Sequence, residues 1–177
     1  FKKSRDRAYT YQEIKKILDV SDLRMKIVVL LMASTGCRVG AIPFLKLRNL
    51  EKIQNENIYK ITMYEGSNEQ YTTFCTLECA SFIDAYLEYR QKNGEKLNGD
   101  SYLIRDQFDI TDIEQIRNKS RGVSVHTLKG IVDNVLVKSG LKTIDHTSRY
   151  NRKEVMMCHG FRKFFTTQCI NAKVNPE

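Results

Sequence analysis

No apolar run approaches the roughly 18 residues that a membrane span needs; the longest, 27–33, has the length of a core helix. The opening Phe1-Lys2-Lys3-Ser4-Arg5-Asp6-Arg7 is charged and runs into no long apolar stretch, so it does not read as a signal peptide. Starting at Phe, the chain reads as a piece of something longer, and residues 1–9 as a basic linker ahead of a domain at 10–177. Disulfide chemistry is not supported either. Five cysteines, an odd number, argue against a secreted scaffold and for a reducing cytoplasmic interior. Cys75 and Cys79 stand four apart without a second pair at zinc spacing, and Cys158 with His159 makes a poor ligand set. The five read as small buried hydrophobes, with no metal and no cofactor expected. Repeats, low-complexity tracts and nucleotide motifs are also missing.

Acidic residues are in deficit. Lys and Arg number 29 against 21 Asp and Glu, a net charge of +8 and a pI near 9.2. That implies a polyanionic partner, and charge alone separates nucleic acid poorly from acidic lipid or acidic protein. With 177 residues, 41% of them hydrophobic, the chain can bury one core as a single domain.

Thr10-Tyr11-Gln12-Glu13 is a capping-box pattern, so a first helix is expected over 11–18. Ser21-Asp22 caps a second helix over 23–35, apolar nearly all round and ended by Gly36. A short helix is expected over 39–45, with Pro43 tolerated in its first turn. The period then changes. Segments 50–54, 58–64 and 70–76 read as three strands of an antiparallel meander. Helical spacing returns over 77–90 (Ala80, Ile83, Tyr86 and Leu87 inward) and 125–138, and a last helix starts near Cys158. The expected fold is α+β and mostly helical, with helices packed around a small three-stranded antiparallel sheet.

Two clusters carry chemistry. In Thr35-Gly36-Cys37-Arg38-Val39-Gly40, Arg38 falls where a buried helix stops, close to the next helical N-terminus. A cation there opposes the helix dipole, so local stability does not explain it. An arginine at such a turn can hold an anion; one capping helix carbonyls would look the same. In His159-Gly160-Phe161-Arg162-Lys163-Phe164-Phe165-Thr166-Thr167, about 100° per residue puts His159, Arg162 and Thr166 on one side. Phe161, Phe164 and Phe165 lie opposite. The helix therefore buries an aromatic face and offers a donor face suited to phosphate, although a plain solvated face has the same pattern.

Taken together, these motifs resemble the catalytic domain of the tyrosine recombinases, the phage-integrase family. That family carries a Thr-Gly-x-Arg turn after a buried helix, a β-hairpin, and a His-x-x-Arg helix. Thr35-Gly36-Cys37-Arg38 and His159-Gly160-Phe161-Arg162 match the first and last in order, and Lys138-Ser139-Gly140-Leu141 agrees between them. Tyr64-Glu65-Gly66-Ser67 looks more like archaeal members. The resemblance implies a DNA-integrating or DNA-recombining enzyme of mobile-element type, acting on double-stranded DNA through a 3′-phosphotyrosyl link without metal. It implies Arg38 and Arg162 as phosphate clamps and His159 as a phosphate ligand or proton carrier. Arg149, Arg152, Lys153 and Lys163 are expected on the DNA backbone. Self-association on DNA, a nucleoid location and no membrane partner follow from the same likeness.

Three departures stand out. The hairpin turn 65–69 has no lysine where the family carries its proton donor, so Lys60, several residues back, is the nearest substitute. Ala41 stands where many relatives have glutamate. No tyrosine follows Arg162, so the nucleophile is expected beyond Glu177 and the chain alone is expected to be inactive. Tyr59, Tyr64, Tyr71, Tyr86, Tyr89 and Tyr102 read as packing residues, and His126 and His146 as loop or cap histidines. Two alternatives share the fold: a type IB topoisomerase-like enzyme that relaxes DNA, and a DNA-binding protein without chemistry.

Overall fold

Local sequence signals set the helix ends. In the computed structural model, which describes residues 7–117, 120–142 and 157–174, Thr10 closes a capping box with Glu13 at the start of α1, Tyr11–Asp19. Arg7 adds a two-pronged ion pair to the Glu13 carboxylate, at 2.8 and 2.6 Å. Asp22 caps α2, Leu23–Thr35, by accepting from the Met25 N–H at 2.7 Å. Nine α2 side chains are buried, among them Ile27, Leu31 and Met32, so this helix is the axis of the core. Burying each large apolar side chain is worth about 1.5–3 kcal/mol, which explains why α2 tolerates no polar face.

The strands are β1, Leu50–Ile53; β2, Ile58–Met63; and β3, Tyr71–Phe74. They form one antiparallel sheet in the order β1-β2-β3, with Leu50 opposite Ile61 and Met63 opposite Tyr71. Alternation along β2 buries Tyr59, Ile61 and Met63 and turns Lys60 and Thr62 to the other face. The expected meander is present, with strands one or two residues shorter at their ends.

Thr76 and Ser124 cap α3, Leu77–Lys92, and a later helix, Val125–Lys138. Between these two lies a five-residue helix, α4, Ile113–Arg117, that the sequence pattern does not announce; Val125–Lys138 is therefore α5. The last helix, α6, spans Met157–Asn171 and packs with α3 against α2. The helix expected over 39–45 is only a 3-10 turn, Ile42–Phe44, with Pro43 in its first positions. Proline removes a backbone donor, and this stretch buries Ala41, Ile42 and Leu45 without helical continuation. On α3, Ala80, Ile83 and Tyr86 are buried, but Leu87 is only half-buried.

Behind α3 sits an ion network that composition does not suggest. The Arg90 and Arg105 guanidinium groups are fully buried and share the Glu95 carboxylate, at 2.7–3.0 Å. Arg90 also donates to the Tyr102 and Leu103 carbonyls, at 2.7 and 3.1 Å. Arg105 reaches the Gln115 and Ile116 carbonyls at 3.1 and 3.4 Å, tying the short α4 to α3. The network thereby holds a non-periodic segment in place.

Candidate active site

Arg38 projects from an anchored turn. The Thr35 hydroxyl donates to the Leu31 carbonyl at 2.7 Å and accepts the Cys37 N–H at 3.2 Å. Cys37 is buried beside it, and burial pushes its thiol up to about 11, which makes it packing rather than a nucleophile. Gly36 ends α2 at φ +63, and a Cβ there would stand 2.4 Å from Phe165 Cδ1. Only glycine meets both conditions.

That close approach is what brings α6 to the turn. Phe161 is fully buried against Tyr9, with ring centroids 4.4 Å apart, and Phe164 meets Tyr11 edge-on at 5.6 Å. The Tyr9 hydroxyl donates to the Met157 carbonyl at 3.0 Å, fixing the start of the helix. Phe165 departs from the expected pattern. It is half-buried and lines the site instead of joining Phe161 and Phe164 in the core. At about 100° per residue it lies only about 60° from Arg162, so it borders the polar face.

The result is an open cavity of about 670 Å³ whose wall includes Arg38, Arg162, Glu69, Tyr71, Thr166 and Phe165. Its two guanidinium groups come from α6 and from the turn after α2, far apart in the sequence. The hairpin closes the third side. Glu69 lies 3.6 Å from Arg38, and both side chains are more than half exposed. Among the described residues of the wall, two cations stand against one carboxylate, an accessible arrangement suited to an oxyanion.

The hairpin turn is held by bonds of its own. Gly66 N–H donates to Gln70 Oε1 at 2.7 Å, and Ser67 N–H to the Tyr64 carbonyl at 3.0 Å. Glu65 pairs with Arg48 at 3.0 Å, and the nearby Asn49 amide together with the Arg48 guanidinium holds its carboxyl below the ordinary range. Tyr64 itself adopts φ +53, the left-handed region, where a bulky residue is strained.

The other expected site residues fall elsewhere. His159 is exposed one turn before Arg162 and is not part of the cavity wall. Lys60 points to the outer face of β2, where it pairs with Glu51 at 2.8 Å, and does not reach the cavity either. Lys163 is half-buried on α6 outside that wall, its carbonyl accepting from the Thr167 hydroxyl at 2.9 Å. Arg149, Arg152 and Lys153, like His146, lie outside the described residues. Glu69 and Tyr71 were not legible as site residues; only the register of a hairpin folded onto the arginine turn reveals them. Among the described residues no group of three or more His, Cys, Asp or Glu is placed to hold a metal ion, and Cys158 and Cys169 are only half-buried. No described helix is long and apolar enough to cross a membrane.

No protein-family model and no curated protein sequence matches the chain. Solved structures do. The chain superposes on XerA recombinase with a TM-score of 0.69 and 20% identity, covering 96% of this chain and 52% of that one. Against XerH site-specific recombinase bound to difH substrate in a pre-cleavage complex, the TM-score is 0.64 at 15% identity, with 94% and 43% covered. A lambda integrase (75–356) dimer bound to a COC′ core site gives 0.60 at 14%, with 98% and 56% covered. The chain thus has the fold of a tyrosine recombinase catalytic domain. It spans about half the length of these structures.

Proposed function

We propose that the chain is the catalytic domain of a site-specific DNA recombinase or integrase that cuts and rejoins duplex DNA through a 3′-phosphotyrosyl intermediate. One observation carries this reading: Arg38 and Arg162, from opposite ends of the sequence, line the same accessible cavity. Two guanidinium groups aimed at one phosphate stabilise the charge that builds on its non-bridging oxygens during displacement. The attacking phenol is supplied from outside the described residues, downstream of Arg162. His159, exposed one turn away on α6, moves toward the phosphate or the nucleophile once DNA is bound. Lys60 serves only if the hairpin turns over and releases Glu51. Arg149, Arg152, Lys153 and Lys163 contact the DNA backbone, and copies of the protein associate on DNA. The neighbours' DNA complexes and the net charge of +8 support a duplex partner and a place beside the chromosome in the cytoplasm.

The test uses a nicked suicide substrate with the full-length protein and, separately, with this chain. A covalent DNA adduct from the full-length protein, lost in Arg38→Ala and Arg162→Ala, is the expected result. The chain alone binds duplex DNA with a steep salt dependence, a log–log slope of about −0.9 per phosphate neutralised, and forms no adduct. Binding without any adduct from the full-length protein would mean a DNA-binding protein without chemistry. An adduct with relaxation of single sites and no paired-site product would mean a topoisomerase-like enzyme.

A further inference from the structure

We propose that Tyr71 is the proton donor to the 5′-oxygen that leaves the phosphate in this cavity, a reading that rests on the function proposed above. Breaking the bond between phosphorus and a 5′-oxygen makes an alkoxide, and an alkoxide leaves readily only if it is protonated as it departs. The cavity wall contains few groups able to give that proton. Arg38 and Arg162 do not release theirs in proteins. Glu69 is engaged as the acceptor in an ion pair with Arg38. Threonine hydroxyls hold their protons far more tightly than a phenol does. Among the described residues of the wall two phenols remain, Tyr64 and Tyr71.

Tyr71 is the better placed of the two. It opens β3 directly at the foot of the hairpin turn, opposite Met63, and the Tyr64 ring braces it at 6.3 Å between centroids. Burial raises its pKa, so the proton is on the oxygen at neutral pH. Arg162 and Arg38 act on it in the opposite sense, and these charges steady the phenolate once the proton has gone. A phenol's ordinary value of about 10 is close to the roughly 10.4 of a lysine ammonium; burial makes Tyr71 a weaker donor than that, and the two arginines work against the burial. The hairpin turn has no lysine, and Lys60 faces away, held by Glu51.

The step balances as follows. The nucleophilic phenol oxygen, supplied from outside the described residues, bonds to phosphorus and loses its own proton to solvent. The bond from phosphorus to the 5′-oxygen breaks, and its electron pair stays on that oxygen. The Tyr71 proton moves there, leaving a free 5′-hydroxyl and a Tyr71 phenolate between the arginines. On rejoining, the 5′-hydroxyl oxygen bonds to phosphorus and returns its proton to Tyr71, while the bond from phosphorus to the nucleophile's phenol oxygen breaks and that oxygen regains a proton from solvent.

The experiment compares two suicide substrates with full-length protein, one with the natural 5′-oxygen and one with sulfur in that bridging position. Sulfur leaves as a thiolate and needs no proton. Tyr71→Phe is expected to slow cleavage of the oxygen substrate by on the order of 10²–10⁴-fold. On the sulfur substrate it should cleave within about tenfold of the unmodified protein, whereas Arg38→Ala stays slow on both, because charge stabilisation is still needed. A thermal melt of Tyr71→Phe checks that the fold is kept. Equal slowing on both substrates would overturn the proposal in favour of packing, as would normal cleavage of the oxygen substrate. Sulfur rescue in Tyr64→Phe instead would move the role to Tyr64. If the unmodified full-length protein forms no adduct with either substrate, the function proposed above fails first, and this role with it.

Discussion

Two arginine pairs in this fold meet a glutamate, and they do so under opposite conditions. Arg90 and Arg105 are wholly buried, and Glu95 between them accepts from both guanidinium groups and from Ser120. Both Glu95 oxygens are satisfied, and burial closes the site to a ligand, with Arg105 Nε left unbonded among the described residues. Arg38 and Arg162 stand open on a cavity, and the only carboxylate among the described residues of its wall, Glu69, approaches Arg38 to 3.6 Å in solvent. The same residue types therefore do two kinds of work. Burial around a shared carboxylate makes one set a brace, while exposure on an open cavity makes the other a receptor for an anion.

The comparison breaks hardest at Glu95. Replacing it with Gln leaves two buried guanidinium charges without a counter-charge, and such losses cost about 3–5 kcal/mol. Urea unfolding should show that drop, with loss of the fold at ordinary temperature as its extreme. The pH dependence has a definite sign. Burial pushes the Glu95 carboxyl up, but hydrogen bonds and charge from Arg90 and Arg105 outweigh it and hold the folded value below the ordinary one. A depressed value means that the contribution is complete above the unfolded value of about 4.3 and fades as pH falls through the folded one. Between pH 7 and pH 3 the unmodified protein should lose more stability than Glu95→Gln. Parallel losses would show that the network is not the acid-sensitive element.

At the open pair the expected pattern reverses. Arg162→Ala should leave unfolding stability within about 0.5 kcal/mol, because an exposed side chain is removed. In the full-length protein it should remove about 2.7–4 kcal/mol of transition-state stabilisation, as losing an oxyanion donor does. Cleavage rates within tenfold of the unmodified protein would place the phosphate elsewhere.

This contrast also explains what could be read beforehand. Capped, strongly periodic elements were legible: Thr10, Asp22 and Ser124 start helices at their expected positions, and β2 alternates as its residues demand. The two arginine motifs were legible as motifs, because each is local. Their convergence depends on Phe165 packing on Gly36, a contact that no local pattern contains. Arg90, Glu95 and Arg105 stayed hidden for the opposite reason. Charged residues read as surface by default, and only tertiary placement reveals a buried network. Tyr71 read as a packing residue because strand alternation cannot say what lies beyond an edge strand.

Gly36 is where motif and tertiary contact coincide, so it sharpens the comparison at intermediate cost. Gly36→Ala meets a left-handed backbone and the Phe165 ring together. A cost of about 1–3 kcal/mol is expected from strain and displacement of that ring. Phosphate or duplex affinity should fall as well, because Phe165 carries the next turn of α6 with it. Unchanged affinity in a destabilised variant would mean that Arg38 and Arg162 reach the anion independently of this contact.

The smallest effect tests whether Glu69 belongs to the receptor or merely borders it. Its carboxylate sits beside Arg38, where an incoming phosphate would bring its own charge. Glu69→Gln removes that charge and keeps the shape of the side chain. Because both partners are more than half exposed, their attraction is worth only about 0.2–1 kcal/mol, and the repulsion of a bound phosphate is screened to a similar size. Affinity for a short duplex should therefore rise by at most about fivefold, with the larger gain at low salt. Titrations at two salt concentrations check both statements, since the difference between Glu69→Gln and the unmodified protein should shrink as the screening length contracts. Weaker binding by the variant would mean that Glu69 instead holds Arg38 in its binding posture. In that case the open arginine pair, like the buried one, would depend on a glutamate for its geometry.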